Sequence, residues 1–190
     1  SGSESITNAR LLLALECASE CDVPPEAAQH KLFQALFMTI SQGAGRASGE
    51  LREALAVEAA VFLQGSGRIL EEYLLRGLAD QDPIVVAAFV DFVSRLGSTV
   101  ILSPKVVEAC IRATSFTEAV TRAAVLRAVT WRPELRTAPF EGVVRQSLRG
   151  TLVEKHGAIE AVSAVPAFYS TSRDQLLSLL DDPNPLIASS

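Results

Sequence analysis

Apolar and polar positions follow the three-to-four spacing of helices along almost the whole chain. Residues 74–97 show it best. Leu75 and Leu78 close one helix, Asp80-Gln81-Asp82 makes a polar corner, and Pro83 opens a second helix. On that second helix Val85, Val86, Phe89, Val90, Phe92, Val93 and Leu96 cover nearly half the circumference. Ala88, Asp91, Ser94 and Arg95 take the other side, with Asp91 and Arg95 spaced as an i, i+4 pair on a solvent-facing stripe. The same reading predicts helices over 5–21, 25–41, 49–64, 68–79, 83–96, 104–114, 116–131, 139–155, 158–169 and 172–180, and an eleventh opening at Pro185. The one strand-like run, Thr99 to Leu102, lies where a loop belongs.

Local chemistry marks the ends of these elements. Asp82-Pro83, Ser103-Pro104 and Asn184-Pro185 each put a capping oxygen before a proline, whose missing N–H costs nothing at the first helical position. Ser115-x-x-Glu118 and Ser172-x-x-Gln175 have capping-box form, and Gly43, Gly65, Gly97 and Gly157 stand as stops. The connections are short, so consecutive helices should lie antiparallel as hairpins.

Residues 179–187 echo the corner at 77–85. Setting Pro83 on Pro185, an offset of 185 − 83 = 102 residues, superposes Leu78 on Leu180, Asp80 on Asp182 and Ile84 on Leu186. Three hairpins fit within that offset, a pitch of about 34 residues, as in helical arrays. Leu75, Leu78, Asp80, Asp82, Pro83, Val85, Ala87 and Ala88 together resemble the HEAT/armadillo class of α-solenoids, with a truncated second match over 176–187. The chain departs from that family at Val86, where arginine is common. The resemblance implies an all-α solenoid of about ten helices in stacked hairpins, a single domain over 1–190, and a scaffold without chemistry of its own. Ending at Ser190, barely into a helix, the chain reads as a fragment of a longer repeat protein, and Ser1-Gly2-Ser3 as a remnant of expression.

Composition narrows the class of function. The chain is 48% apolar, and its longest apolar run, 83–90, is too short to span a bilayer and meets Asp91. Three cysteines without framework spacing point to a reducing intracellular compartment, cytoplasmic or nuclear. A net charge of −5 argues against a surface devoted to nucleic acid. The charge is uneven, however: residues 16–91 hold twelve acids and five bases, whereas residues 112–155 hold eight bases and four acids.

Catalytic and cofactor signals are weak. Cys17 and Cys21 share a helix face with no zinc-ligand spacing around them, and Cys110 sits on an apolar background. The glycine-rich loop 43–49 matches no phosphate-loop pattern, and His30 and His156 have no triad-like partner. We therefore expect no enzyme activity, no metal and no cofactor. The basic segment is the candidate site: Arg145 and Arg149 lie one turn apart, and Arg122, Trp131, Arg132 and Arg136 crowd the preceding helix. These six residues are expected to form a patch that grips an acidic or amphipathic segment of a partner protein beside an apolar groove. Nucleic acid is the alternative partner for the same 112–155 region. Arg127 falls in an apolar stripe with Val120, Ala123 and Trp131 and is expected to form a structural ion pair with a corner acid of a neighbouring hairpin.

Overall fold

The computed structural model describes residues 2–20, 26–42, 55–56, 67–96, 100–136, 138–184 and 187. Among these residues all regular structure is helical: α1 (Gly2–Ser19), α2 (Glu26–Gln42), α3 (Gly67–Leu78), α4 (Pro83–Arg95), α5 (Pro104–Ala113), α6 (Ala119–Trp131), a 3-10 turn (Pro133–Leu135), α7 (Ala138–Ser147), α8 (Leu152–Ala164) and α9 (Pro166–Leu179). The helix expected over 49–64 lies outside the described residues, apart from Leu55 and Ala56, which are helical and buried. None of the described helices is long and apolar enough to cross a membrane.

Capping chemistry explains where the second half of the corner begins. Asp82 is extended at the N-cap of α4, and its Oδ1 accepts the Ile84 N–H at 2.9 Å, with Pro83 following. Ser103 caps α5 in the same way through Val106 N–H at 3.4 Å. Asp82→Ala should therefore cost about 1 kcal/mol of stability. Urea unfolding followed by circular dichroism would show it, and an unchanged midpoint would deny the cap its role.

The echo between the two corners is also a structural one. Asp80 N–H donates to the Gly77 carbonyl at 3.3 Å, and Asp182 N–H donates to the Leu179 carbonyl at 3.0 Å. Asp80 Oδ1 then accepts from Asp82 N–H, and Asp182 Oδ1 from Asn184 N–H, both at 2.9 Å. Each corner thus has an aspartate whose side chain accepts from the backbone N–H two residues ahead.

Packing runs between alternate helices. α4 lies against α6 and α6 against α8 as the two most extensive helix contacts, while α3 packs on α5 and α7 on α9. The helices α4, α6 and α8 begin at residues 83, 119 and 152, steps of 36 (119 − 83) and 33 (152 − 119) residues. Because α4 is enclosed by α2, α3, α5 and α6, its whole middle is buried from Val85 to Ser94. This corrects the half-exposed stripe expected of it: Ala88, Asp91 and Ser94 are interior, and Asp91 holds Arg95 through Nε at 3.1 Å. α6 is lined with small residues for the same reason, and a Cβ on Gly157 of α8 would stand 3.2 Å from the Ala123 carbonyl oxygen of α6. Gly157 is therefore a close-approach position in mid-helix and not a stop.

Three other expected ends move. α7 stops at Ser147, and a turn through Gly150 leads to α8, which opens on a capping box formed by Thr151 and Glu154. Ser172 and Gln175 lie inside α9 instead of starting a helix. Glu118 is the N-cap of α6 without a side-chain bond, so Ser115-x-x-Glu118 is no capping box.

Candidate functional site

The C-terminal turn of α7, the start of α8 and the middle of α9 enclose a cleft of about 580 Å³ lined by Arg122, Arg145, Gln146, Arg149, Gly150, Glu154 and Gln175. Its floor is an ion pair. Arg122 on α6 donates through Nε to Glu154 Oε1 on α8 at 2.7 Å, Nη2 reaches the same oxygen, and Nη1 lies 3.5 Å from the Phe116 carbonyl. The other carboxylate oxygen, Oε2, accepts the Thr151 N–H and hydroxyl, each at 2.8 Å. Burial by itself pushes the Glu154 carboxyl up, but the Thr151 hydrogen bonds and the Arg122 guanidinium outweigh it and hold it below its ordinary range. Gly150 makes this possible, since a Cβ there would sit 2.5 Å from Glu154 Oε2.

The rim has a different character. Arg145 lies in the last turn of α7, and Arg149 sits in a turn secured by Arg149 N–H to the Gln146 carbonyl at 3.1 Å and Gly150 N–H to the Ser147 carbonyl at 3.0 Å. With the Gln175 amide oriented to satisfy both neighbours, its oxygen accepts from Arg149 Nε at 3.0 Å and Nη2 at 2.8 Å, and its NH2 donates to the Arg145 carbonyl at 3.3 Å. Both arginines are exposed, and neither makes an ion pair with a described residue. The cleft thus presents two uncompensated guanidiniums over an acid whose oxygens are already taken.

The structure brings together three of the six candidate patch residues, Arg122, Arg145 and Arg149. The other three stand elsewhere. Arg132 is 2% exposed, donating to the Val100 carbonyl at 2.6 Å and pairing with Glu134 at 2.7 Å. Arg136 turns back to cap α6, donating to the Val129 and Thr130 carbonyls at 3.3 and 3.1 Å. Trp131 is exposed and borders a separate cleft of about 480 Å³ with His156 and Glu160. An apolar cavity of about 470 Å³ lies between α8 and α9, lined by Ile159, Val162, Tyr169, Leu176 and Leu180 among others.

Arg127 makes no ion pair with a described residue. Among the described residues, the cations that pair with an acid far along the chain are Arg122, with Glu154, and Lys155, with the corner acid Asp182. Both occupy the fourth position of their helices, the position held by Val86 in α4. Glu154 and Gln175 were absent from the sequence-derived site. Thr151-x-x-Glu154 carried a signal for the first, as a capping box one turn before an apolar run; an isolated glutamine carries none.

Burial pushes the Cys110 thiol up to about 12, against the opposing pull of Arg132, so it is held as a neutral core group. Cys21 and the 43–49 loop lie outside the described residues, and no three described His, Cys, Asp or Glu side chains are grouped to hold a metal ion. His30 and His156 each lie within 4 Å of an acid four residues away on the same helix, Glu26 and Glu160. The chain matches no family model, no curated protein and no solved structure.

Proposed function

We propose that this chain is a non-enzymatic binding module, a HEAT/armadillo-like stack of helical hairpins that docks an acidic or amphipathic segment of a partner protein. The observation that carries the reading is the Arg145–Arg149 rim, where two guanidiniums one turn apart face a cleft whose only carboxylate is saturated by Arg122 and Thr151. Charge-assisted bonds to a carboxylate or phosphate are the interaction such a rim makes best. The stacked arrangement draws support from the α4–α6–α8 row and from the two corners with matching hydrogen bonds. α9 borders the arginine cleft on one side and the apolar cavity on the other, which suits a ligand bearing both kinds of group.

The double variant Arg145→Ala/Arg149→Ala tests this. With a library of short Asp/Glu-rich peptides as ligands, affinity should fall about tenfold or more, a change of about 1.4 kcal/mol. Because both side chains are exposed, unfolding stability should stay within about 0.5 kcal/mol of the parent. Peptides bound equally well by parent and variant would remove the rim from the site.

A further inference from the structure

We infer that the cleft between α7, α8 and α9 is a phosphate-monoester site, shaped for a phosphorylated serine or threonine in the docked segment. This rests on the docking reading above and narrows it from acidic groups in general to one of them. The cleft holds three guanidiniums, of Arg122, Arg145 and Arg149, and one carboxylate, of Glu154, a balance of 3 − 1 = +2. A side-chain carboxylate would leave half of that charge unanswered, whereas a phosphate monoester carries roughly −1.5 to −2 near neutral pH and three acceptor oxygens.

Gln175 takes the Nε and Nη2 hydrogens on one edge of Arg149, at 3.0 and 2.8 Å, and so holds the guanidinium plane in place. The remaining edge, Nη1 with the second hydrogen of Nη2, is a pre-oriented fork of the kind that grips phosphate oxygens in pairs. The tight turn over Ser147–Gly150 fixes where that fork sits, which lowers the ordering cost of binding. Glu154 does not compete, because both of its oxygens are engaged by Arg122 and Thr151.

A nucleic-acid backbone fits less well. Recognition of a phosphate chain draws on several cations in a track. Here Arg132 and Arg136 are engaged by the protein's own carbonyls and Glu134, and Arg112 lies 3.2 Å from Glu108. Arg127, which makes no ion pair with a described residue, does not line the cleft, so the cations there form one focused site on a chain of net charge −5.

The test follows the arginine Nε–Hε signals of the whole chain by NMR while N-acetyl-phosphoserine amide, N-acetyl-glutamate amide or inorganic sulfate is added. The phosphoserine probe should move Arg145 and Arg149 with an apparent Kd at least about tenfold below that of the glutamate probe. Its affinity should fall roughly tenfold between about pH 7.5 and pH 5, as the monoester dianion takes up a proton near pH 6 and becomes a monoanion. Sulfate, a dianion throughout, should show no such fall. The only titratable acid lining the cleft is Glu154, already held below its ordinary range, so the pH dependence would belong to the ligand. Equal affinity for the two amino-acid probes would overturn the phosphate assignment and leave docking of acidic segments standing. Equal shifts at Arg112, an adventitious ion only, would overturn it as well. No movement of Arg145 or Arg149 with any probe would sink both readings, and tighter, steeply salt-dependent binding of a single-stranded oligonucleotide would replace them with a nucleic-acid site.

Discussion

Glu154→Ala is expected to destabilise the protein by about 3–5 kcal/mol, the usual cost of stranding one member of a buried ion pair. Arg122 is only 16% exposed and Glu154 only 2%, so removal of the carboxylate leaves a guanidinium with little water to turn to. The same substitution removes the side-chain half of the α8 capping box, since Thr151 N–H and Oγ1 both lose their acceptor. For a chain of this length each kcal/mol moves the melting temperature by about 2–4 °C, which puts the expected drop at roughly 10 °C. A loss under about 1 kcal/mol would mean that the pair is far better hydrated than its geometry implies. Replacing both members with apolar side chains, Arg122→Met/Glu154→Leu, should recover much of the lost stability, because no buried charge then remains.

The acid limb of the stability profile carries the same information. The Glu154 carboxyl titrates below its ordinary value near 4.5 in the folded chain. Its contribution is therefore complete above that value and is lost as pH falls through the depressed folded value. Glu154→Gln should flatten this part of the curve: the variant is less stable than the parent at neutral pH, and the gap closes as acid is added below about pH 4.5. Parallel curves across that window would contradict the assignment.

Phe89→Ala should be comparably severe, at about 3–5 kcal/mol. The ring is 1% exposed and sits where three helices meet. Its centroid is 5.2 Å from that of Phe37 on α2, and its atoms lie 2.4–2.5 Å from where a Cβ on Gly77 of α3 would stand. Gly77 is thus the socket for the ring. Gly77→Ala should cost about 1–3 kcal/mol in the parent through overpacking, and much less in a Phe89→Ala background, where the space is vacant. Chemical denaturation of the four-member cycle measures the coupling, and strict additivity would show that ring and glycine do not constrain one another.

Much of the corner architecture was legible because its causes are local. Asp82-Pro83 and Ser103-Pro104 start helices by bonds made within a few residues, and the aspartates at 80 and 182 close their turns on the residue two ahead. Glycine and serine were less informative. Gly157 looks like a stop and Ser172 like a cap, yet Gly157 is defined by Ala123 across the helix interface and Ser172 by burial inside α9. The candidate site divides in the same way. Arg145 and Arg149 share a rim because they are one turn apart, a local fact. Arg122 joins them only because α6 lies against α8, while Arg132 and Arg136 leave because their guanidiniums reach backbone carbonyls that folding brings near.

What the sequence determined alone was the helical class, most of the boundaries marked by a cap and a proline, and a basic segment in an acidic chain. These follow from backbone hydrogen bonding and from charge counted along the chain. Only the tertiary structure decided which cations are spent on the fold and which stay available. The energy of an arginine depends on the carboxylates, carbonyls and water within a few ångströms of it, and for Arg122 and Arg132 the partners Glu154 and Val100 each come from 32 residues away in the chain.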